Sequence, residues 1–287
     1  MSQLTYKTFA IAGATGYLGK YLLKAFADIG VYPLILTRKT SNTDSIPPSF
    51  KIARVDLNNA DEVSQVLEQH GIEVVISLVS GKKPDEDQKG LADGAKRAGV
   101  KLLVPAEFGG ISDGARLAPE AIPENPLVQK DKFAEYLKSI GLPYARFFNG
   151  AFASYAPFLL GGPQPDKANI IIGTDDVEFA VTAEEDVSGF VAHVLTTLSP
   201  EDLANRSFRI SGEDISFAEL AKRIGKEVAH CEKLVAPDPG SEALGNAYTS
   251  GKGVSSWDYA LDGRREDSSA NDNHLWKGHE WKKVAKV

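Results

Sequence analysis

The sequence predicts an α/β protein with a doubly wound, Rossmann-type parallel sheet and a smaller carboxyl-terminal lobe. In the first half of the 287-residue chain, short apolar runs alternate with amphipathic stretches, as in a parallel sheet flanked by helices. Three glycines at three-residue spacing follow the first apolar run, where the doubly wound fold has a tight turn. Strands are predicted at residues 8–12, 32–37, 50–55, 73–78, 101–105 and 143–148, with helices in most of the gaps.

The helices carry start and stop signals. Asn59 or Asp61 precedes an apolar periodic stretch and predicts a helix start, because short polar side chains cap helix N-termini. Gly71 predicts the end of that helix, and Gly99 and Gly141 predict similar ends.

The regular alternation stops near residue 150. We therefore predict a nucleotide-binding Rossmann domain over residues 1–150 and a smaller substrate lobe over 151–287, with segments of the lobe able to return to the first domain. Residues 161–165 read as a turn-rich connection, and residues 237–275, rich in Gly, Ser, Asp and Asn, predict a long loop.

Composition narrows the classes of partner. The net charge of −7, from 32 basic and 39 acidic residues, gives no general attraction to nucleic acid or to anionic membrane surfaces. The single cysteine, Cys231, cannot form an internal disulfide, and no Cys/His cluster has the spacing of a metal site. The opening residues lack the apolar stretch of a signal peptide, and no later run is long enough to span a membrane. We expect a cytoplasmic protein without a metal.

The glycine-rich turn predicts a dinucleotide site. Gly13 permits the tight turn, Gly16 lets backbone N–H groups approach a pyrophosphate, and Gly19 allows close packing of helix on strand. The phosphates then lie at a helix N-terminus, which favours anions. The cofactor-binding residues predicted in this turn are Gly13, Thr15, Gly16, Tyr17, Leu18 and Gly19. The alternative is a glycine-rich turn with no ligand.

The end of the second strand favours NADP(H) over NAD. NAD sites usually have a carboxylate there, whereas this chain has Thr37, Arg38 and Lys39 with Ser41 close behind. Arg38 can pair with a 2′-phosphate, with Lys39 as a helper, although exposed basic residues are also common at strand ends. Asp56, after the third strand, is predicted beside the adenine, or as a simple turn residue.

Four motifs occur in an order typical of one group of proteins. They are Gly13-Ala-Thr-Gly-Tyr-Leu-Gly19, Pro105-Ala-Glu-Phe-Gly109, Lys130-Asp-Lys-Phe-Ala-Glu-Tyr136 and Phe148-Asn-Gly-Ala-Phe-Ala153. Over most of residues 5–230 the chain resembles the isoflavone reductase-like and NmrA-like family of atypical short-chain dehydrogenases, which includes phenylcoumaran benzylic ether reductases, pinoresinol reductases and NmrA-like regulators.

The resemblance implies a catalytic lysine at Lys130. On a helix predicted from about residue 127 to 140, Lys130 shares a face with Leu127, Ala134 and Leu137, so its amine points toward packed structure. A partly desolvated lysine is suited to proton exchange with a substrate oxygen. The alternative is a lysine whose stem passes an apolar stripe to reach water. The Tyr-x-x-x-Lys pair of ordinary short-chain dehydrogenases is missing from its expected place, and its only match by spacing, Tyr248 with Lys252, falls in the late loop.

Further site residues follow from their position after strands. Glu107 and Phe108 follow the fifth strand at the carboxyl edge of the sheet, where ligands bind in such folds. Phe148, Phe152 and Tyr155 are predicted to line an aromatic substrate pocket, or to belong to a buried segment.

Together these features predict an NADPH-dependent reductase of a small hydrophobic, aromatic or enone-like substrate, with lysine-assisted proton transfer. One alternative is a non-catalytic NADP(H) sensor of the NmrA-like type, which would need a protein partner. Another is a structural Rossmann scaffold without nucleotide.

Overall fold

The computed structural model describes residues 5–79, 81, 83–156, 168–171, 177–225, 228–230, 239–267 and 270–284. Cys231 and the predicted turn-rich connection at 161–165 lie outside these residues. The chain divides into two compact units. The first consists of Met1–Ala106, Lys132–Arg146 and Ser188–Ser207, and the second of Glu107–Asp131, Phe147–Val187 and Phe208–Val287. Each unit is thus built from segments that are distant in sequence, so the chain passes between the units several times. The sequence predicted one main boundary near residue 150.

The first unit is built on a five-stranded parallel sheet with the order β3-β2-β1-β4-β5. Its strands are β1 (Phe9–Ala12), β2 (Leu34–Thr37), β3 (Ile52–Arg54), β4 (Val74–Ser77) and β5 (Leu102–Val104). All but β3 are buried along their length, as expected of central strands covered on both faces. This confirms the predicted doubly wound fold.

Helices follow the strands in the predicted alternation. They are α1 (Gly19–Asp28), α2 (Ala60–Gln69), α3 (Lys89–Arg97) and α4 (Pro126–Ser139). The sixth predicted strand is β6 (Ala145–Phe148), and Tyr144 just before it makes a parallel bridge to Leu103 in β5. Gly71, Gly99 and Gly141 follow the ends of helices and have positive φ angles, as the stop signals predicted.

The remaining elements come after β6. The strands are β7 (Ala151–Phe152), β8 (Ala168–Ile171), β9 (Glu178–Thr182), β10 (Arg206–Arg209), β11 (Glu213–Ser216), β12 (Val228–His230), β13 (Trp257–Asp258) and β14 (Gly263–Arg264). The helices are α5 (Glu184–Thr197), α6 (Pro200–Leu203), α7 (Phe217–Arg223) and α8 (Pro239–Thr249). In the second unit, β11, β9 and β7 form a three-stranded sheet. None of the helices described in the chain is long and apolar enough to cross a membrane.

The prediction of a long loop at residues 237–275 was wrong for its first part, which forms α8, and for the short hairpin of β13 and β14. Glycine and serine lower helix propensity, but packing against a core overrides that preference. Tyr248 of α8 is buried in the hydrophobic cluster of the second unit, with its ring edge-on to Phe179 at a centroid distance of 6.1 Å.

The N-cap of α2, which the sequence predicted, can be tested by mutation. Asn59 is the N-cap, and its side-chain oxygen accepts hydrogen bonds from the backbone N–H groups of Asp61 and Glu62. We expect Asn59→Ala to lower the free energy of unfolding by about 1 kcal/mol, because two N–H groups lose their partner. Urea unfolding of Asn59→Ala and of Asn59→Asp, which keeps the acceptor, would check this. Equal loss in both variants would contradict the capping role.

Candidate functional site

A cleft of about 540 Å³ opens in the first unit at the carboxyl ends of the strands. Gly13, Thr15 and Gly16 line it from the turn after β1. Thr37, Arg38 and Ser41 line it from the end of β2. Asp56, Leu57 and Asn58 follow β3, and Leu78, Val79, Gly81 and Asp87 follow β4. The structure thus brings the glycine turn and the basic loop predicted for NADP(H) to one cleft.

Two glycines of the turn are required by close approach. A Cβ atom on Gly13, whose φ is +82°, would lie 2.9 Å from the carbonyl carbon and oxygen of Leu78. A Cβ on Gly19 would lie 1.8 Å from the carbonyl oxygen of Ala14, so α1 can begin against the turn only with glycine there. This is the packing role predicted for the third glycine. Tyr17 and Leu18 do not line the cleft: Leu18 is buried, and the Tyr17 ring lies edge-on to Tyr21.

Arg38 and Lys39 have different surroundings. Arg38 is exposed and lines the cleft. Lys39 does not line the cleft and instead pairs with Glu62, with 3.1 Å between its Nζ and Oε2. The backbone N–H of Asp56 and the side chain of Lys39 together lower the pKa of the Glu62 carboxyl. Of the two basic residues predicted to bind the 2′-phosphate, Arg38 is therefore the one that lines the cleft.

Arg54 was missed by sequence analysis. Its guanidinium donates to the carbonyl oxygens of Lys39 and Ser41, at 3.1 and 2.9 Å, and to the hydroxyl of Thr43 at 3.1 Å. The loop after β2 is therefore shaped by a side chain on the neighbouring strand. No local motif signals this role, because the acceptors are backbone carbonyls that any sequence would provide.

Asp56 lines the cleft and also makes a turn. Its carboxylate accepts a hydrogen bond from the backbone N–H of Asn58 at 3.0 Å, and its own N–H donates to Glu62 at 3.2 Å. The two roles weighed for Asp56 are compatible, since one carboxylate oxygen holds the turn while the residue faces the cleft.

Lys130 lies in the second unit, on α4, and is half-buried. Its ammonium donates a hydrogen bond to the backbone carbonyl of Glu107. Leu127, Ala134 and Leu137, which were predicted to share its face, are buried. Lys132 and Lys138 are exposed. The amine of Lys130 is thus turned toward the chain that follows β5, and a Cβ on Gly109 would lie 3.9 Å from its Nζ.

The segment after β5 is held by buried polar contacts. The Glu107 carboxylate is buried and accepts a hydrogen bond from Ser112 at 2.7 Å, a contact that sequence analysis missed. Phe108 has a φ of +31°, which is uncommon for a residue with a side chain, and its ring stacks on Phe147 at a centroid distance of 6.3 Å. Such backbone strain persists where the surrounding structure enforces it and is frequent at functional sites. The strained turn presents the carbonyl that Lys130 binds.

The predicted aromatic residues are not equivalent. Phe148 has no exposed surface, and its backbone bridges Gly109, so it is a core residue of the second unit rather than an accessible pocket wall. Phe152 is half-buried and Tyr155 is exposed. Phe152 and Tyr155 therefore have exposed surface that a ligand could contact, whereas Phe148 has none.

Tyr248 and Lys252 do not form a dehydrogenase pair. Tyr248 is buried and burial raises the pKa of its hydroxyl, which accepts a hydrogen bond from the backbone N–H of Gly110. The Lys252 ammonium instead pairs with Glu120 and lies near the rings of Trp257 and Tyr259. No group of three or more His, Cys, Asp or Glu side chains suited to a metal ion occurs among the residues that the structure describes.

The residues present fit an NADP cofactor on two observations. Gly13 and Gly16 line the cleft, and because glycine has no side chain, neither would obstruct a pyrophosphate bound there. At its adenosine end, Arg38 and two hydroxyls, of Thr37 and Ser41, replace the carboxylate usual in NAD sites. When bound, NADPH supplies a hydride.

Solved structures of other proteins share this fold. The complex of leucoanthocyanidin reductase with NADPH from Vitis vinifera superposes with a TM-score of 0.76 at 20% identity, covering 97% of both chains. AtPrR2 with NADP+ and (+)pinoresinol superposes with a TM-score of 0.75 at 20% identity, covering 97% of this chain and 96% of that one. At this level of identity the likeness concerns the fold.

Sequence comparison identifies the family. A phenylcoumaran benzylic ether reductase of Ginkgo biloba is 29% identical over 245 residues, which are 79% of this chain and 78% of that protein. An isoflavone reductase homolog of Zea mays is 31% identical over 205 residues, covering 67% of this chain and 63% of that protein. The model of the NmrA-like family matches residues 5–236 of this chain. The resemblance predicted from the four motifs is thus confirmed, and the chain belongs to the NmrA-like family.

Proposed function

We propose that this NADP-dependent oxidoreductase transfers hydride from NADPH to a small hydrophobic, aromatic or enone-like substrate, while Lys130 donates a proton to the substrate oxygen. The observation that supports NADPH as the cofactor is that Arg38 and the glycine turn line the same cleft. The relatives named as phenylcoumaran benzylic ether reductase and isoflavone reductase homolog support the substrate class.

The surroundings of Lys130 support a role in moving a proton. Its ammonium is half-buried and is oriented by the Glu107 carbonyl, an acceptor that carries no full charge. A half-buried amine loses part of the hydration that stabilises its charged form, so it gives up a proton more readily than an exposed amine. Gly109 leaves space beside Nζ for a substrate oxygen.

Arg38→Ala tests the cofactor assignment. We expect the Kd for NADPH to rise about 10- to 100-fold, because a charge-assisted contact to phosphate contributes about 1.5–3 kcal/mol. The Kd for NADH should change by less than about threefold, since NADH lacks the 2′-phosphate. Isothermal titration with both nucleotides measures this. Lys39→Ala is the matched control, because Lys39 pairs with Glu62 outside the cleft.

Two results of these titrations would contradict the assignment of Arg38 to the 2′-phosphate. Equal affinity of the wild type for NADPH and NADH would overturn the Arg38 assignment. A larger effect of Lys39→Ala than of Arg38→Ala would transfer the phosphate contact to Lys39. Oxidation of NADPH with a panel of phenolic and enone compounds then tests the substrate class, and absence of turnover with all of them would count against it.

A non-catalytic NADP(H) sensor is the second candidate, and one observation favours it. All residues that line the glycine-turn cleft belong to the first unit, whereas Lys130 belongs to the second. Nucleotide binding therefore does not require Lys130. Tight NADPH binding without turnover, together with a protein partner whose binding depends on NADPH against NADP+, would establish the sensor.

A further inference from the structure

A cavity of about 500 Å³ in the second unit shares no lining residue with the glycine-turn cleft. It lies between α8 and residues 115–125, and its volume is in the range of small-molecule sites. Its apolar wall consists mostly of short side chains, which are Ala115, Ala118, Ala121, Ile122, Ala243 and Ala247. We refer to it as the alanine pocket. Because alanine leaves the wall nearly flat, an aromatic ring can approach it closely.

Lys252 brings a positive charge to the alanine pocket. Its side chain is only 19% exposed, and its ammonium lies 5.2 Å from the ring centroid of Trp257 and 5.8 Å from that of Tyr259. Burying an ammonium costs free energy unless an anion lies beside it. Glu120 pairs with this ammonium, and an Asp262 carboxylate oxygen lies 3.8 Å away.

A ligand anion can replace the Glu120 carboxylate beside the Lys252 ammonium. The Glu120 side chain is 58% exposed, so it can turn into water without losing its hydration, whereas the Lys252 side chain is only 19% exposed and lies near two aromatic rings. The hydrogen bond from Lys252 lowers the pKa of the Glu120 carboxyl. An exposed carboxylate gains little from such a pair, because water competes for both charges. A ligand anion attached to a buried ring would gain the same pairing and the apolar contact as well.

Tyr259 adds a proton donor to the same wall. Burial, with smaller contributions from Glu120 and Asp131, raises the pKa of its hydroxyl to about 12. The hydroxyl is therefore protonated at neutral pH and can donate a hydrogen bond to an anionic oxygen. An ammonium and a hydroxyl donor beside an apolar wall form a combination that suits a carboxylate on an aromatic ring.

We infer that the alanine pocket is a second small-molecule site that binds an aromatic carboxylate, with the ring against the alanine wall and the carboxylate on Lys252 in place of Glu120. This inference does not depend on the proposed reductase function, because it needs neither NADPH nor Lys130.

Isothermal titration of the full chain without nucleotide tests it, with 2-naphthoate as the probe and 2-naphthylmethanol as its uncharged counterpart. We expect the carboxylate to bind at least about tenfold more tightly than the alcohol, since one charged hydrogen-bonded pair is at stake. Lys252→Met, which keeps the length of the side chain, should weaken 2-naphthoate binding at least about tenfold. Lys222→Met is the matched control, because Lys222 is an exposed lysine elsewhere in the second unit.

Glu120→Gln separates this inference from a general effect of mutation. Removal of the competing carboxylate should tighten 2-naphthoate binding by about threefold or more. Weaker binding in Glu120→Gln, equal binding of the alcohol, or no binding of 2-naphthoate by the wild type would each overturn the inference. Because Glu120 is exposed, this variant should fold even if Lys252→Met does not. Titration of the same samples with NADPH reports the reductase site separately, so failure of one proposal is distinguishable from failure of the other.

Discussion

Lys130→Ala is expected to lower kcat by about 10²- to 10⁴-fold, the range typical of a lost general acid. The Kd for NADPH should stay within about twofold of the wild-type value, because every residue lining the cleft lies elsewhere. The physical reason is that the substrate oxygen would develop negative charge with no proton donor beside it. Steady-state oxidation of NADPH, with titration of NADPH into the same sample, measures both quantities.

Two variants sharpen this test. Lys132→Ala is the matched control, because Lys132 lies on the same helix but is exposed, and we expect its kcat to be unchanged. Lys130→Arg keeps the charge but not the capacity to release a proton at neutral pH, so it should be nearly as slow as the alanine variant. A wild-type rate in Lys130→Ala, or a fully active Lys130→Arg, would remove Lys130 from the role of proton donor.

Gly19→Ala should destabilise the protein more than the other stability variant considered above, Asn59→Ala. The new Cβ would lie 1.8 Å from the carbonyl oxygen and 2.4 Å from the carbonyl carbon of Ala14. Both are backbone atoms of the turn after β1, so no side chain can rotate to relieve the clash, and α1 must move away from the turn. We expect a loss of about 3–5 kcal/mol, the range of severe overpacking and strain. Urea unfolding followed by circular dichroism measures the loss.

Gly99→Ala is the matched control for this prediction. Gly99, unlike Gly19, has a positive φ, of +71°, and a Cβ there would meet no atom within 4 Å. The substitution should therefore cost only the conformational strain, about 1–2 kcal/mol. If the two variants lose equal stability, close packing at Gly19 is not what the turn requires. If Gly19→Ala keeps both its stability and its affinity for NADPH, neither property requires close contact between the turn and α1.

The sequence by itself determined the features that depend on neighbouring residues. The spacing of Gly13, Gly16 and Gly19, the buried parallel strands and the cap at Asn59 are local patterns, because strand periodicity, turn conformation and capping involve residues a few positions apart. The basic residues after the second strand predicted NADP(H), and the resemblance to the NmrA-like family, which came from four motifs in order, implied a catalytic lysine at Lys130.

Tertiary structure decided which of the predicted residues act together. Arg54 donates hydrogen bonds to a loop 11 to 16 residues before it, and Lys130 donates one to the carbonyl of Glu107, 23 residues away. Phe148 was an equally good pocket residue by type, and only the packing around β6 showed that it is buried. The alanine pocket combines Glu120 with Lys252, which are 132 residues apart. Contacts of this kind depend on how elements pack in three dimensions, and no pattern among neighbouring residues encodes them.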